Sequence, residues 1–157
     1  ESQTTAGVPF PPPLAFLGGL GLGFALQHFF PAHILRGSPG IDALELVGEV
    51  LVLAGVAWAS FAFISLRQAR TSPLPERPTT SLVVRGPYRF TRNPLYVSMT
   101  LVHAGVSLFA NAIWPLLFLV PAVLSIRYLV IAREERYLAG KFGAEYEAYC
   151  RRVRRWL

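Results

Sequence analysis

Residues 93–126, NPLYVSMTLVHAGVSLFANAIWPLLFLVPAVLSI, contain no Asp, Glu, Lys or Arg. A helix crossing a bilayer needs about 20 mostly apolar residues, so this run of 34 is too long for one ordinary span and suits two short ones. Asn111 and Pro115 interrupt it near its middle. The reading is a tight helical hairpin, with helices over about 95–110 and 113–132. Pro94 fits the first turn of the first helix and Asn93 its N-cap. Pro121 is expected to bend the second helix or to sit at a local distortion.

Two more uncharged stretches, 14–35 and 50–66, lie upstream. The whole chain is 53% hydrophobic and 15% charged, with a mean hydropathy of +0.42, whereas soluble domains carry about 25% charge. The expected fold class is therefore an all-α integral membrane protein. It has four transmembrane helices, over about 14–35, 43–66, 95–110 and 113–132, in one domain spanning 1–157.

Charge placement tests that count. Residues 67–92 hold six arginines against Glu76, and residues 127–157 hold eight basic residues against four acids. The connection 36–49 holds Arg36 against Asp42, Glu45 and Glu49. Four spans put both basic segments and both termini on the cytoplasmic side, whereas three would split the basic segments between faces. Glu45 and Glu49 begin the second span, where the helix dipole favours acids. The first apolar run lacks the basic leader and small-residue cleavage site of a signal peptide. The sequence opens at Glu1 rather than Met, as it would if an initiator or longer leader were missing. Cys150 is the only cysteine, which excludes an intrachain disulfide framework and a thiolate metal cluster.

Gly19 and Gly23 fit the small-xxx-small pattern of closely packed membrane helices, and the glycine run 18–23 lacks the spacing and preceding strand of a dinucleotide site. Tyr146, Tyr149, Val153 and Trp156 recur at helical spacing among Arg151, Arg152, Arg154 and Arg155. That pattern reads as a C-terminal amphipathic helix at the interface, separated from the last span by Gly140 and Gly143.

Two polar clusters bracket the hairpin. Residues 85–96 read RGPYRFTRNPLY, and residues 133–138 read REERYL. Attraction to anionic lipid accounts for Arg67, Arg70 and Arg77, but not for two prolines flanked by tyrosines. Of Glu134 and Glu135, neighbours on a helix about 100° apart, at most one is expected to face the bundle interior. Such a carboxylate needs an arginine of the 85–92 loop or a bound cation as partner. His103, inside the third span, either serves function or bonds a backbone carbonyl.

Together these clusters resemble the isoprenylcysteine carboxyl methyltransferases and their bacterial relatives, which in turn resemble phospholipid methyltransferases. Those proteins carry Gly-x-Tyr, Arg-(His or Asn)-Pro-x-Tyr, a helical hairpin, Glu-Glu, and Phe-Gly-x-x-Tyr-x-x-Tyr. The matches here are Gly86-Pro87-Tyr88, Arg92-Asn93-Pro94-Leu95-Tyr96, Glu134-Glu135 and Phe142-Gly143 through Tyr146 and Tyr149. The resemblance implies S-adenosylmethionine as methyl donor, bound in the half spanning 78–157 at the cytoplasmic end of the hairpin. Thr80, Ser81, Leu82, Val83, Tyr88, Asn93, Pro94, Leu95, Tyr96 and Glu134 would hold it. Glu135 and Arg92 would meet the polar head of the acceptor, a lipophilic small molecule or lipid reaching the site from the bilayer. No metal, covalent nucleophile or nucleic-acid partner is implied.

Departures bear on the acceptor. The arginine that members acting on a prenylated cysteine carry one turn before Glu-Glu is Val130 here, with Arg127 a turn earlier, which argues against that substrate. Ser98 replaces a glycine. Asn93 stands where eukaryotic members have histidine, which with the short form leans toward a bacterial inner membrane. The competing expectation is a non-catalytic membrane scaffold that binds a protein partner and lacks a cofactor cavity. A transporter fits poorly, since the sequence has no internal repeat and few polar residues in mid-membrane.

Overall fold

A computed structural model describes residues 5–37, 40–72 and 79–157. Arg77 and residue 78, where the expected donor-binding half begins, lie outside the described residues. The described chain is helical and holds no strand, only isolated bridges. Its elements are α1 Pro13–Phe29, α2 Ile41–Gln68, α3 Pro94–Phe109, α4 Ile113–Ser125, α5 Ala132–Phe142 and α6 Ala144–Arg152. A single turn of 3₁₀ helix covers Gly86–Arg89, and a π-helical segment, Ile126–Ile131, joins α4 to α5 without a break.

Two helices are long and apolar enough to cross a membrane, α2 and the continuous Ile113–Phe142. The apolar helices α1 and α3 are shorter. The outer face of α2 is apolar and largely exposed at Leu46, Val50, Leu53 and Phe61, the surface expected of a helix solvated by hydrocarbon. The first helix ends at Phe29, short of the expected 35.

Missing side chains set the helix packing. A Cβ on Gly48 would collide with the backbone of Phe109, one on Gly105 would lie 2.6 Å from the Gly48 carbonyl, and one on Gly55 would lie 2.9 Å from the Ser98 carbonyl. These three glycines let α2 and α3 approach backbone to backbone. Gly23 does the same for α1 and α4, where a Cβ would overlap Pro115. The expected packing role of Gly19 and Gly23 is thus realised against α4. His103 Nε2 bonds the Pro115 carbonyl at 2.8 Å, the backbone-carbonyl alternative for that residue.

The hairpin turns where the sequence places it. Asn111 adopts φ +48°, a left-handed conformation that Asn tolerates better than most residues. Its amide accepts from Leu35 N at 2.9 Å and donates to Leu35 O at 3.0 Å. Trp114 Nε1 donates to Phe30 O at 2.7 Å, so the α1–α2 connection is stitched to the α3–α4 turn. At the other end, the π segment begins one turn after Pro121. Such single π turns recur beside functional sites, and this one carries Ile126, Val130 and Ile131 fully buried into the core with Phe16, Tyr96 and Ala122.

The C-terminus differs from the expected single amphipathic helix. Gly143, at φ +50°, breaks the chain between α5 and α6, while Gly140 lies within α5. The helix α6 stops at Arg152, and Val153 is extended at φ −124°, ψ 130°. Residues 153–156 run as an extended segment: Thr91 and Arg154 form a parallel bridge, and Trp156 packs against the core.

Candidate functional site

The 3₁₀ turn and α3 start the site. Gly86 adopts φ +57°, and a Cβ there would collide with the Ser65 hydroxyl of α2. Glycine is therefore required twice over, by conformation and by space. The turn buries Pro87 and brings Tyr88 inward. Asn93 occupies the N-cap position of α3, but its side chain makes no capping bond. Its Nδ2 instead donates to the Arg155 carbonyl at 2.9 Å. The expected capping role is thus replaced by an anchor for the C-terminal segment.

The 79–83 stretch forms a second wall, organised by Thr71 at the end of α2. The Thr71 hydroxyl accepts from the backbone N–H of Thr80 and of Ser81, both at 3.1 Å. Ser81 Oγ donates to Ala69 O at 2.9 Å, and Thr79 N donates to Tyr137 OH at 3.2 Å. The stretch is thereby pinned between α2 and α5.

The Glu-Glu pair closes the third side. Both carboxylates line the cavity, whereas at most one was expected to face inward. They diverge, and the cavity wraps around that corner of α5. Glu134 meets α3, where Tyr96 OH donates to its Oε1 at 2.7 Å. Glu135 meets the C-terminal segment and the 91–93 loop. Arg155 binds it through a fork, Nε to Oε1 at 2.7 Å and Nη2 to Oε2 at 2.6 Å, and Arg92 Nη1 lies 3.2 Å from Oε1. The hydrogen bond to Glu135 raises the Arg155 pKa, and the pair's charges add to it. Glu134 has no ion-pair partner among the described residues.

These walls enclose a cavity of about 140 Å³, on the order of ten times the roughly 10–15 Å³ that one water needs. It is sized for a small molecule. Of the residues expected to hold a donor, Ser81, Leu82, Val83, Tyr88, Asn93, Pro94, Leu95, Tyr96 and Glu134 all line it, as do Arg92 and Glu135. Thr80 is the exception. It is exposed, and its hydroxyl donates to Arg70 O at 2.9 Å and shares a bond with Thr71 Oγ1 at 2.7 Å, so it braces the wall from outside. Arg127 is not among the lining residues; its guanidinium lies over the exposed Tyr128 ring.

Sequence reasoning missed Tyr137, Tyr146, Tyr149 and Arg155. All three tyrosines line the cavity and are buried, although the spacing of Tyr146 and Tyr149 suggested an interface-seeking stripe. Tyr149 OH donates to Tyr88 O at 2.7 Å, tying α6 to the 3₁₀ turn. Burial raises the pKa of Tyr88 and of Tyr149, so both remain neutral phenols. For Tyr146 and Tyr149 the Phe-Gly-x-x-Tyr-x-x-Tyr pattern was an available signal. For Arg155 there was none, because helical spacing placed it on a solvated face.

The donor set fits S-adenosylmethionine. A carboxylate without a cationic partner among the described residues suits a sulfonium, tyrosines offer further stabilisation for a cation, and the polar residues Thr79 and Ser81 of the second wall suit a nucleoside.

Comparison with known proteins bears on the same segment. The family model described as phospholipid methyltransferase matches residues 44–145, well over half of the chain, from α2 into α6. A Haemophilus influenzae protein that bears only the description "Uncharacterized protein" is 40% identical over 63 residues, covering 40% of this chain and 100% of that protein. No solved structure matches. With Gly86–Tyr88, Arg92–Tyr96 and the Glu134–Glu135 pair all inside the matched region, the chain belongs to the phospholipid methyltransferase family.

Proposed function

We propose that this protein is an S-adenosylmethionine-dependent methyltransferase that modifies a lipophilic, membrane-partitioned acceptor. Family membership gives the coarse activity, methyl transfer to a lipophilic substrate. The observation that carries the finer reading is the convergence on one cavity of Tyr88, Tyr96 and Glu134, the last without an ion-pair partner among the described residues. A non-catalytic scaffold gives no reason for that convergence.

When bound, the donor supplies an electrophilic methyl group on a sulfonium centre. Glu134, held by Tyr96, supplies the opposing charge, and Tyr88 adds an aromatic ring. Ser81, Leu82 and Val83 border the nucleoside end, and residues 93–96 close the opposite wall. In-line displacement depends mainly on holding both reactants in a dry, fixed geometry. Arg92 and Glu135 stand at the acceptor's polar head. Both Glu135 oxygens are engaged by arginine, so Glu135 fixes Arg92 and is poorly placed to act as a free base. Arg92 Nε is buried without an acceptor among the described residues, while the side chain as a whole borders the cavity.

The remaining reading concerns placement. Four spans put the donor-binding half, 78–157, at the cytoplasmic face of a bacterial inner membrane, with both termini on that side and one domain over 1–157. The helix α6, with exposed Arg151 and Arg152 and buried Tyr146 and Tyr149, lies along the interface. The basic segments before α3 and after α5 support this orientation, as does their meeting at the cavity.

The test is transfer of label from methyl-tritiated S-adenosylmethionine into the organic phase of a bacterial lipid extract. Wild type is expected to label an extractable species that Glu134→Ala does not. Absence of label with wild type reconstituted in lipid, across extracts from several bacteria, would overturn the reading.

A further inference from the structure

We infer that Arg155 is a positioning residue of the site and that the C-terminal segment, residues 153–156, braces the residues that wall the cavity. Its two ends serve different motifs. The side chain forks onto both oxygens of Glu135. The backbone carbonyl accepts from Thr91 Oγ1 at 3.0 Å and from Asn93 Nδ2 at 2.9 Å. One residue therefore joins the loop that starts α3 to the carboxylate pair of α5.

The neighbouring bonds point the same way. Arg92 N donates to the Arg154 carbonyl at 2.9 Å, and Arg92 Nη1 donates to Cys150 Sγ at 2.7 Å. Tyr149 binds the Tyr88 carbonyl, and Trp156 packs on the cluster that contains Tyr96. Every wall residue from Tyr88 to Asn93 that faces the cavity thus has a partner in α6 or in residues 153–156. Beyond Arg152 no helix holds the segment in place, so the Arg155 fork and the bridge to Thr91 do so. A bidentate guanidinium–carboxylate pair fixes orientation as well as distance. Without it, Glu135 keeps only the longer contact to Arg92, and the Arg155 carbonyl loses the register that satisfies Thr91 and Asn93.

Arg155 does not itself line the cavity; it acts through Glu135, Thr91 and Asn93. The inference rests on the proposed donor site for its ligand readout and on the geometry alone for its second readout. Arg155→Ala, Arg155→Lys, Glu135→Gln and the double variant Arg155→Ala/Glu135→Gln are compared by S-adenosylhomocysteine calorimetry and by hydrogen exchange in detergent. Arg155→Ala is expected to weaken S-adenosylhomocysteine about fivefold, the order expected for losing one partly exposed bidentate pair. Arg155→Lys recovers part of that loss, and the double variant is no weaker than the worse single variant. Exchange is expected to rise in peptides covering 88–96 and 133–138 in Arg155→Ala while 44–60 stays protected.

Unchanged affinity in Arg155→Ala, or losses that add in the double variant, would overturn the inference while leaving the donor site intact. If wild type fails to bind S-adenosylhomocysteine, the donor reading falls, and exchange alone decides on Arg155. Unchanged protection at 88–96 would then refute its role.

Discussion

Replacing Glu134 with glutamine separates charge from shape at the cavity. The amide oxygen can still accept from Tyr96 OH, which donates to Glu134 Oε1 at 2.7 Å, so packing and the α3–α5 contact survive. What disappears is a carboxylate that no Arg or Lys neutralises among the described residues; burial raises its pKa to about 7, so the comparison is made at pH 8, where it is mostly ionised. A unit positive charge roughly 5–8 Å away would interact with it by about 2–3 kcal/mol at an effective dielectric of 20. Glu134 is only half-buried, and solvent screening brings that to about 1 kcal/mol, a factor of about five in affinity. S-adenosylmethionine carries the sulfonium charge and the transferable methyl, S-adenosylhomocysteine carries neither, and the rest of the two molecules is shared. Glu134→Gln is therefore expected to weaken the former about fivefold more than the latter. Paired calorimetric titrations on wild type and variant measure this. Equal losses for the two ligands would refute the claim that Glu134 answers the sulfonium.

Other perturbations probe the frame. Gly48→Ala forces a methyl into the Phe109 backbone, and overpacking of this kind costs about 1–3 kcal/mol; thermal unfolding should fall by roughly 2–10 °C. A melting temperature equal to wild type would mean that α2 and α3 are not in backbone contact. Val130→Arg places an arginine where the sequence reading expected one in members acting on a prenylated cysteine, at a side chain that is 0% exposed. Burying that charge should destabilise by more than about 3 kcal/mol, and a folded variant of normal stability would show that this face of the π turn opens onto polar space. Asn111→Ala removes both bonds to Leu35 at a positive φ. It is expected to lower stability by about 1–2 kcal/mol with S-adenosylhomocysteine affinity unchanged, since it lies at the opposite end of α3; a drop in affinity would contradict the site's placement.

The hairpin and the site were legible for different reasons. An uncharged run with Asn111 and Pro115 at its centre leaves few ways to fold, and the turn forms at Asn111. Tyr88, Asn93–Tyr96 and Glu134 could be named because short motifs fix them at the two ends of that hairpin, and all of them line the cavity. Thr80 and Ser81 show the limit of position-by-position transfer: both hydroxyls reach Thr71 Oγ1, yet only Ser81 borders the cavity. The π turn was invisible, because hydrophobic periodicity does not reveal one extra residue in a turn. So was the end of α6 at Arg152. The pattern of tyrosines and arginines continues at helical spacing past that point, yet tertiary bonds to Thr91 and Asn93 draw residues 153–156 into an extended path. Arg155 was missed for that reason, since its role depends on contacts some 60 residues away in sequence.

The most direct test of the central claim is an S-adenosylhomocysteine titration of the purified protein in lipid nanodiscs, with Glu134→Ala beside it. Saturable binding to wild type at one site, strongly weakened in the variant, is the result expected if the cavity between the 79–83 stretch, α3 and α5 holds the methyl donor. No binding to well-folded wild type, in nanodiscs as in detergent, would contradict it.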